Sequence, residues 1–409
     1  MKKRVIYIAI IYFQISSVLY SQDKSIINEC DANGYLSIMP SVFWNKDTTL
    51  WQTTLHNRLN FSWYISNAFT AELQLRNQYM VGNFTDAESI KTGFVTQNYF
   101  LPLTFIETFG GKNIISLSVD RAWLQYTYNN LEIKAGRQRI NWGQTFVWNP
   151  NDLFNSYNFF EFDYPERPGA DAIRIQYYTG ATSSLDLASK IDSTGNISAA
   201  GLYRFNKWNY DFQFLVGYFQ HSNLISSAFG TVTDWDDRDF VTGLGFSGAI
   251  KNLSIRSEMS YFHSLKQNID STNLFIASLA FDYTLSNQTY LMLEFFYNNN
   301  TILSEGTNFL NFYGGTQNVK TLSVTEYNLF AQAAYPINPI IRGTFGCMLF
   351  WDSNILGYYL GPSIDISLGD NLSLSSFYQF FSFRIDNPLN DNKSWYNSNF
   401  LFLRLKLNF

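Results

Sequence analysis

The chain has 409 residues, of which 15% are charged and 18% aromatic, a net charge of −5, and only 3 His and 2 Cys. Few charges beside so many rings exclude a disordered chain, and two cysteines exclude a disulfide scaffold. Histidine catalysis and zinc clusters are thinly supplied, so no catalytic residue, metal or cofactor is expected; what remains is a chain that needs a solvent tolerant of aromatic surface, such as a bilayer.

In chain order, Lys2, Lys3 and Arg4 precede the apolar run 5–13 and the small residues Ser16, Ser17 and Ser21. This reads as a secretory signal peptide over residues 1–21. Its removal takes away those three positive charges and moves the net charge from −5 to −8, which carries no nucleic-acid signature. Residues 22–34 read as a short periplasmic segment, too short for a plug, and 35–409 as a single barrel domain.

Past the leader no run of 18 apolar residues occurs, and the pattern alternates instead. Leu401, Leu403, Leu405, Leu407 and Phe409 share one face of a segment whose other face is Phe402, Arg404, Lys406 and Asn408. Period two is a strand. Apolar faces about ten residues long, ended by aromatics such as Trp63-Tyr64 and Phe350-Trp351, have the length and girdle of membrane strands. The pattern predicts eighteen strands, near 35–45, 55–64, 69–80, 119–128, 131–140, 170–179, 183–190, 197–205, 209–220, 239–250, 253–264, 273–284, 288–298, 323–335, 339–351, 356–367, 371–382 and 398–409; sixteen is the alternative. Short turns such as Asn129-Asn130 and Lys251-Asn252 alternate with loops at 81–118, 141–169, 221–238, 299–322 and 383–397. The fold expected is all-β, a closed antiparallel transmembrane barrel with short periplasmic turns and long external loops. Hydrocarbon leaves no water for unpaired backbone, so the sheet must close, and eighteen strands enclose an aqueous lumen.

The terminal Leu405-Lys406-Leu407-Asn408-Phe409 resembles the signal that the barrel-assembly machinery reads in Gram-negative outer-membrane proteins. The stretch from Gly136-Arg137-Gln138-Arg139 to Trp142-Gly143, with Asn149-Pro150-Asn151-Asp152 and Arg167-Pro168-Gly169, resembles porin-like barrels. It is similar to the Gly-Arg-Gln strand entry of the alginate-export and related eighteen-stranded specific porins. The resemblance covers residues 131–178 and implies a Gram-negative outer-membrane channel, in contact with lipid and lipopolysaccharide. A homotrimer or a lipoprotein partner would be in keeping with it, although no flat apolar face for trimer contacts is evident.

Inward parity nominates His56, Arg58, Glu72, Arg76, Arg121, Glu132, Lys134, Arg174, Arg256 and Glu258. Arg137 and Arg139 fall on the apolar parity. Either a bulge at Gly136 turns them into the lumen, or they sit at headgroup level paired with lipopolysaccharide or loop carboxylates. The loop 141–169, aromatic and acidic, is expected to fold inward and narrow the pore or else to form an external cap. Pore-lining or constriction residues are thus Arg58, Arg76, Arg121, Lys134, Arg137, Arg139 and Arg174, with Asp152 and Glu161 from the loop. The run Asp234, Asp236, Asp237 and Asp239 is read as solvated rather than as a Ca²⁺ site. No Gly-x-Ser-x-Gly or His-Glu-x-x-His motif is present, so an enzyme is not expected. Two functions follow. One is a channel for passive or facilitated diffusion of small hydrophilic solutes, with a lean toward anions; the other is a non-conducting barrel acting as a structural, assembly or adhesion partner.

Overall fold

The computed structural model describes residues 30–83, 99–110, 112–155, 159–160, 164, 166–226, 232–265, 273–299, 318–353, 355–385 and 394–409, with backbone alone at 221–226, 232–237, 385 and 394. The strands are β1 (Cys30–Trp44), β2 (Thr49–Tyr64), β3 (Phe69–Gly82), β4 (Thr104–Phe109), β5 (Asn113–Tyr128) and β6 (Leu131–Gln138). After the loop 139–169 come β7 (Ala170–Gly180), β8 (Ser183–Ile191), β9 (Ile197–Lys207), β10 (Tyr210–Ser226), β11 (Val232–Ile250), β12 (Leu253–Ser264) and β13 (Leu274–Thr284). The chain ends with β14 (Tyr290–Asn298), β15 (Tyr327–Asn338), β16 (Ile341–Trp351), β17 (Ile355–Ser367), β18 (Leu372–Ile385) and β19 (Ser394–Asn408).

Each strand pairs antiparallel with its sequence neighbours, except that β3 pairs with β5 across β4. The ring closes where β1 meets β19, with Tyr35 opposite Asn408 and Ile38 opposite Leu405. Gly34 and Phe409 exchange backbone hydrogen bonds of 2.9 and 3.0 Å at the seam. The wall is a closed antiparallel barrel of eighteen strands, and β4 is a short nineteenth lying beside it.

The wall explains the alternation. On β2, His56 and Arg58 are buried on the lumen side, while Trp51, Leu55 and Trp63 are exposed outside. On β19 the exposed set is Leu401, Leu403, Leu405 and Leu407. A bulge at Asp120 changes the parity of β5, because Gln74 faces Arg121 and Leu75 faces Val119. Both Asp120 and Arg121 then point inward.

Three boundaries depart from the sequence reading. The ladder starts at Cys30 opposite Trp63, so residues 30–34, expected to precede the barrel, belong to its first strand. The span 81–118, read as a loop, contains β4 and the first part of β5. The hairpin β10–β11 continues through most of 221–238, with Ser226 opposite Val232. The leader lies outside the described residues. Cys30 and Cys347 are unbridged.

β4 repairs the wall. β6 covers β5 only from Ala122 to Tyr128, because the chain leaves the wall beyond Gln138. β4 takes over on the same side, with Thr104 opposite Ser118 and Phe109 opposite Asn113.

The inner surface is divided. Toward the short-turn end it is polar and charged. Toward the long-loop end, Phe296, Phe330, Phe350 and Phe381 are buried on the lumen side and join one apolar cluster with Trp148 and Phe160. A wet lumen along its whole length is therefore not what the wall encloses.

Because Leu403 faces outward in the middle of β19, Leu403→Arg should cost about 2–4 kcal/mol in a bilayer. Arg404→Ser, one residue on and facing inward, should be close to neutral. Urea unfolding in lipid vesicles distinguishes the two.

Candidate functional site

Beyond Gln138 the chain leaves the wall and crosses the lumen. Gly136 makes the departure sterically feasible: its φ is +118°, and a Cβ there would lie 2.2 Å from the Ala122 carbonyl. Gln138 Nε2 donates to the Lys134 and Ala172 carbonyls, both at 3.0 Å, and holds the exit point.

A backbone crossing a barrel has amides with no ladder partner, and buried amides left bare are costly. Two wall carboxylates accept them. Glu258 on β12 accepts from the amides of Gln144, Thr145 (2.8 Å) and Asn151 (3.0 Å). Glu294 on β14 accepts from those of Phe146 (3.0 Å), Val147 (2.9 Å) and Trp148 (2.9 Å). Both carboxylates are fully buried. Ser278 donates its hydroxyl to Glu294 at 2.8 Å. Between these anchors Ser260 Oγ lies 2.8 Å from both the Pro150 carbonyl and Asn151 Oδ1. Gly243 and Gly245 on β11 provide clearance, since a Cβ on Gly243 would lie 2.4 Å from Asn151 Oδ1 and one on Gly245 2.9 Å from Gln144 Oε1.

Rings carry the loop across the rest of the lumen. Trp148 stacks on Phe296 with centroids 5.1 Å apart, Phe159 meets Phe330 at 4.9 Å, and Phe160 meets Phe381 at 5.0 Å. On the near side the Trp142 indole donates to Asp186 on β8 at 3.0 Å. The returning segment docks on β2, β3 and β5. Tyr164 donates to Asp120, and the Arg76 guanidinium lies 3.8 Å over its ring. Arg121 donates to the carbonyls of Glu166 and Arg167 at 3.0 and 2.5 Å, and Arg58 pairs with Asp120 at 2.7 Å. Below the loop, at the short-turn end, an open pocket of about 450 Å³ is lined by Asn141, Gln144, Ser184, Arg204 and Gln213 among others.

Arg58, Arg76 and Arg121 accordingly sit on the lumen side but are buried against the loop. Lys134 is half-buried, 3.9 Å over the Trp123 ring, and Arg174 is bound to Asp186. Arg139 follows β6 at the root of the loop. Arg137 does not turn into the lumen. It keeps the outer parity of Ala135, opposite Asp171, and is 0% exposed beneath residues 99–103. Its guanidinium binds Asp171 Oδ1 at 2.8 Å, the Val119 carbonyl at 2.9 Å and the Leu101 carbonyl at 2.5 Å, with Tyr99 stacked on it at 3.9 Å. It is a fastener for the repaired wall. Glu161 lies outside the described residues. Glu294 was not singled out in the sequence, although an acid at inward parity inside Leu291-Met292-Leu293-Glu294-Phe295-Phe296 is its signal.

Asp152 is buried within the loop, and burial pushes its carboxyl up to about 6 against the opposing effects of the Trp142 amide and of Arg167, Arg139 and Lys190. Among the described residues no group of three or more His, Cys, Asp and Glu is placed to hold a metal ion.

No protein family model matches the chain, and no curated protein matches it either. Solved structures share its fold. OccAB1 of Acinetobacter baumannii superposes with a TM-score of 0.56 at 9% identity, covering 95% of this chain and 99% of that one. OccK5 (OpdH) of Pseudomonas aeruginosa gives 0.56 at 10% identity, covering 94% and 99%. OccK11 (OpdR) of the same species gives 0.53 at 12%, covering 93% and 96%. These neighbours are outer-membrane porins, and at such identities the likeness is one of fold.

Removing an anchor should free the loop. Glu294→Leu leaves three amides without their acceptor and should cost at least about 2 kcal/mol in denaturant unfolding, with Glu294→Gln milder. A second expectation concerns pH. An acid whose folded value is raised to about 6 lowers stability as pH climbs from about 4 to 6, and the full cost, about 3 kcal/mol, applies above that. Asp152→Asn should therefore match the parent at pH 4 and exceed it at pH 8.

Proposed function

We propose that this barrel works in the outer membrane of a Gram-negative bacterium as a porin-like channel for passive or facilitated diffusion of small hydrophilic solutes. The observation that carries the reading is the loop tied across the lumen by Glu258 and Glu294, above a polar pocket and a charged wall. A closed cylinder with a wet lower lumen and an internal loop can admit solutes selectively. Its shared fold with outer-membrane porins supports the same reading.

An anionic lean follows from the wall at the short-turn end. Lys134, Arg174, Arg204, Arg256, Arg342, Arg404 and Lys406 face inward there beside Glu72, Glu132, Asp186, Asp211, Asp282 and Asp365. Several of these acids are engaged locally, as in Arg174–Asp186 and in the Ser375 hydrogen bond of 2.5 Å to Asp365. A row with more basic than acidic groups concentrates anions. The solute class, the alginate-export likeness, lipopolysaccharide contact and recognition of Phe409 by the assembly machinery all belong to this proposal.

One observation favours a second reading. Phe160 and its ring partners on β16, β17 and β18 leave that side of the upper lumen dry, as suits a non-conducting barrel acting as a structural, assembly or adhesion partner.

Planar-bilayer recording separates the two. The channel reading expects stepwise openings, with Arg342→Gln/Arg404→Gln moving the reversal potential in a salt gradient toward cation selectivity. A correctly folded barrel that stays silent would support the second reading, and an unchanged reversal potential would remove the anionic lean.

A further inference from the structure

The outer wall of β1–β3 has an anomaly. Asn57 and Asn77 sit opposite one another across the β2–β3 ladder. Their parity is that of Leu55 and Tyr79, both exposed to the outside, and the opposite of His56, Arg58, Arg76 and Gln78, which are buried inward. Asn57 lies six residues from Trp51 and six from Trp63, the exposed aromatics at the two ends of the same outward face. At ~3.3 Å per residue and a tilt near ~45°, that spacing places the pair close to the middle of a ~25 Å apolar band.

Their hydrogen bonding is incomplete. Asn77 Nδ2 donates to Asn57 Oδ1 at 3.3 Å, and Asn57 Nδ2 to the Tyr35 carbonyl at 3.4 Å. Asn77 Oδ1 accepts from no described group. The residues across the ladders on the same face are Leu36 and Leu117. Among the described residues, the outward amides Asn113, Gln220, Asn397 and Asn399 lie nearer the long-loop ends of their strands and have partners: Asn113, Asn397 and Asn399 accept from the Tyr79, Ser382 and Tyr378 hydroxyls, each at 2.7 Å, and Gln220 Nε2 donates to Asn196 Oδ1 at 2.8 Å. Hydrocarbon offers an amide no partner, so polar groups at such depth mark contacts with other protein.

We infer that the outer wall of β1–β3 is a self-association surface, centred on Asn57 and Asn77, whose partner is a second copy of this chain. The inference rests on the bilayer placement proposed above. Two copies in one membrane share orientation and depth, so a two-fold axis along the membrane normal sets each mid-depth residue against its own counterpart. A carboxamide carries both donor and acceptor and is complementary to itself. A charged or purely donating group would not be.

The test uses the full mature barrel in lipid vesicles, with Cys30→Ser and Cys347→Ser as background. Flotation with the vesicles and heat-dependent gel mobility establish bilayer placement and folding separately. The inference expects dimers of the parent by single-molecule photobleaching, and Asn77→Cys should form a disulfide with its own copy. Asn57→Leu/Asn77→Leu, an outward apolar change that leaves the barrel foldable, should weaken dimerisation by roughly tenfold. A folded, inserted parent that is monomeric overturns the inference, as does a double variant that dimerises like the parent. If the parent fails to float, the bilayer reading falls with it; if it floats but stays monomeric, only the interface does.

Discussion

The whole molecule answers to one constraint: a backbone amide inside hydrocarbon or a dry interior must find an acceptor in the protein itself. In the wall this forces the ladder to close, β1 against β19, with even the last residue tied to Gly34. In the lumen it forces a different answer, because a crossing loop has no ladder. Glu258 and Glu294 serve there as artificial strand edges, Glu294 taking three consecutive amides and Glu258 two adjacent ones and that of Asn151 further along.

The same constraint explains why the two halves of the lumen differ. Where the loop's amides are accepted by carboxylates, its side chains are released to pack, and Trp148, Phe159 and Phe160 meet the inward rings of β14 to β18. Where the loop returns, its carbonyls face Arg121, and Asp120 is paired with Arg58 and accepts the Tyr164 hydroxyl. Basic residues that would otherwise line water become brackets for the loop. The charge available to a solute lies lower, around Lys134, Arg256 and Arg404, which keep part of their surface exposed.

Strand number and face were legible wherever one side of the pleat is uniformly apolar, as at Leu401 to Leu407 or Ile173 to Tyr177, because period two survives any register. Legibility failed where pairing changes partway along a strand. Thr104–Phe109 is too short to stand out from a long loop, and its role depends on β6 stopping early. The lumen position expected for Arg137 failed for the same reason: its outward parity holds, but nothing local announces that residues 99–103 cover it. The inward phenylalanines were hidden because rings occupy both faces of β14 to β18, so alternation in size does not become alternation in polarity. Glu294 was overlooked as one acid in an apolar strand, and only its partners, 146–148 residues away in the chain, reveal its purpose.

The patch formed by β4 also governs how this part of the chain can vary. External connections of a barrel ordinarily tolerate lengthening, since their ends are fixed and their middles are not. Here the connection between β3 and β5 must deliver Tyr99 and Leu101 to Arg137 and then run back in register along β5. Insertions before residue 99 leave that delivery intact, whereas a single residue gained or lost between 101 and 109 shifts the patch by one pleat and inverts its greasy and watery sides.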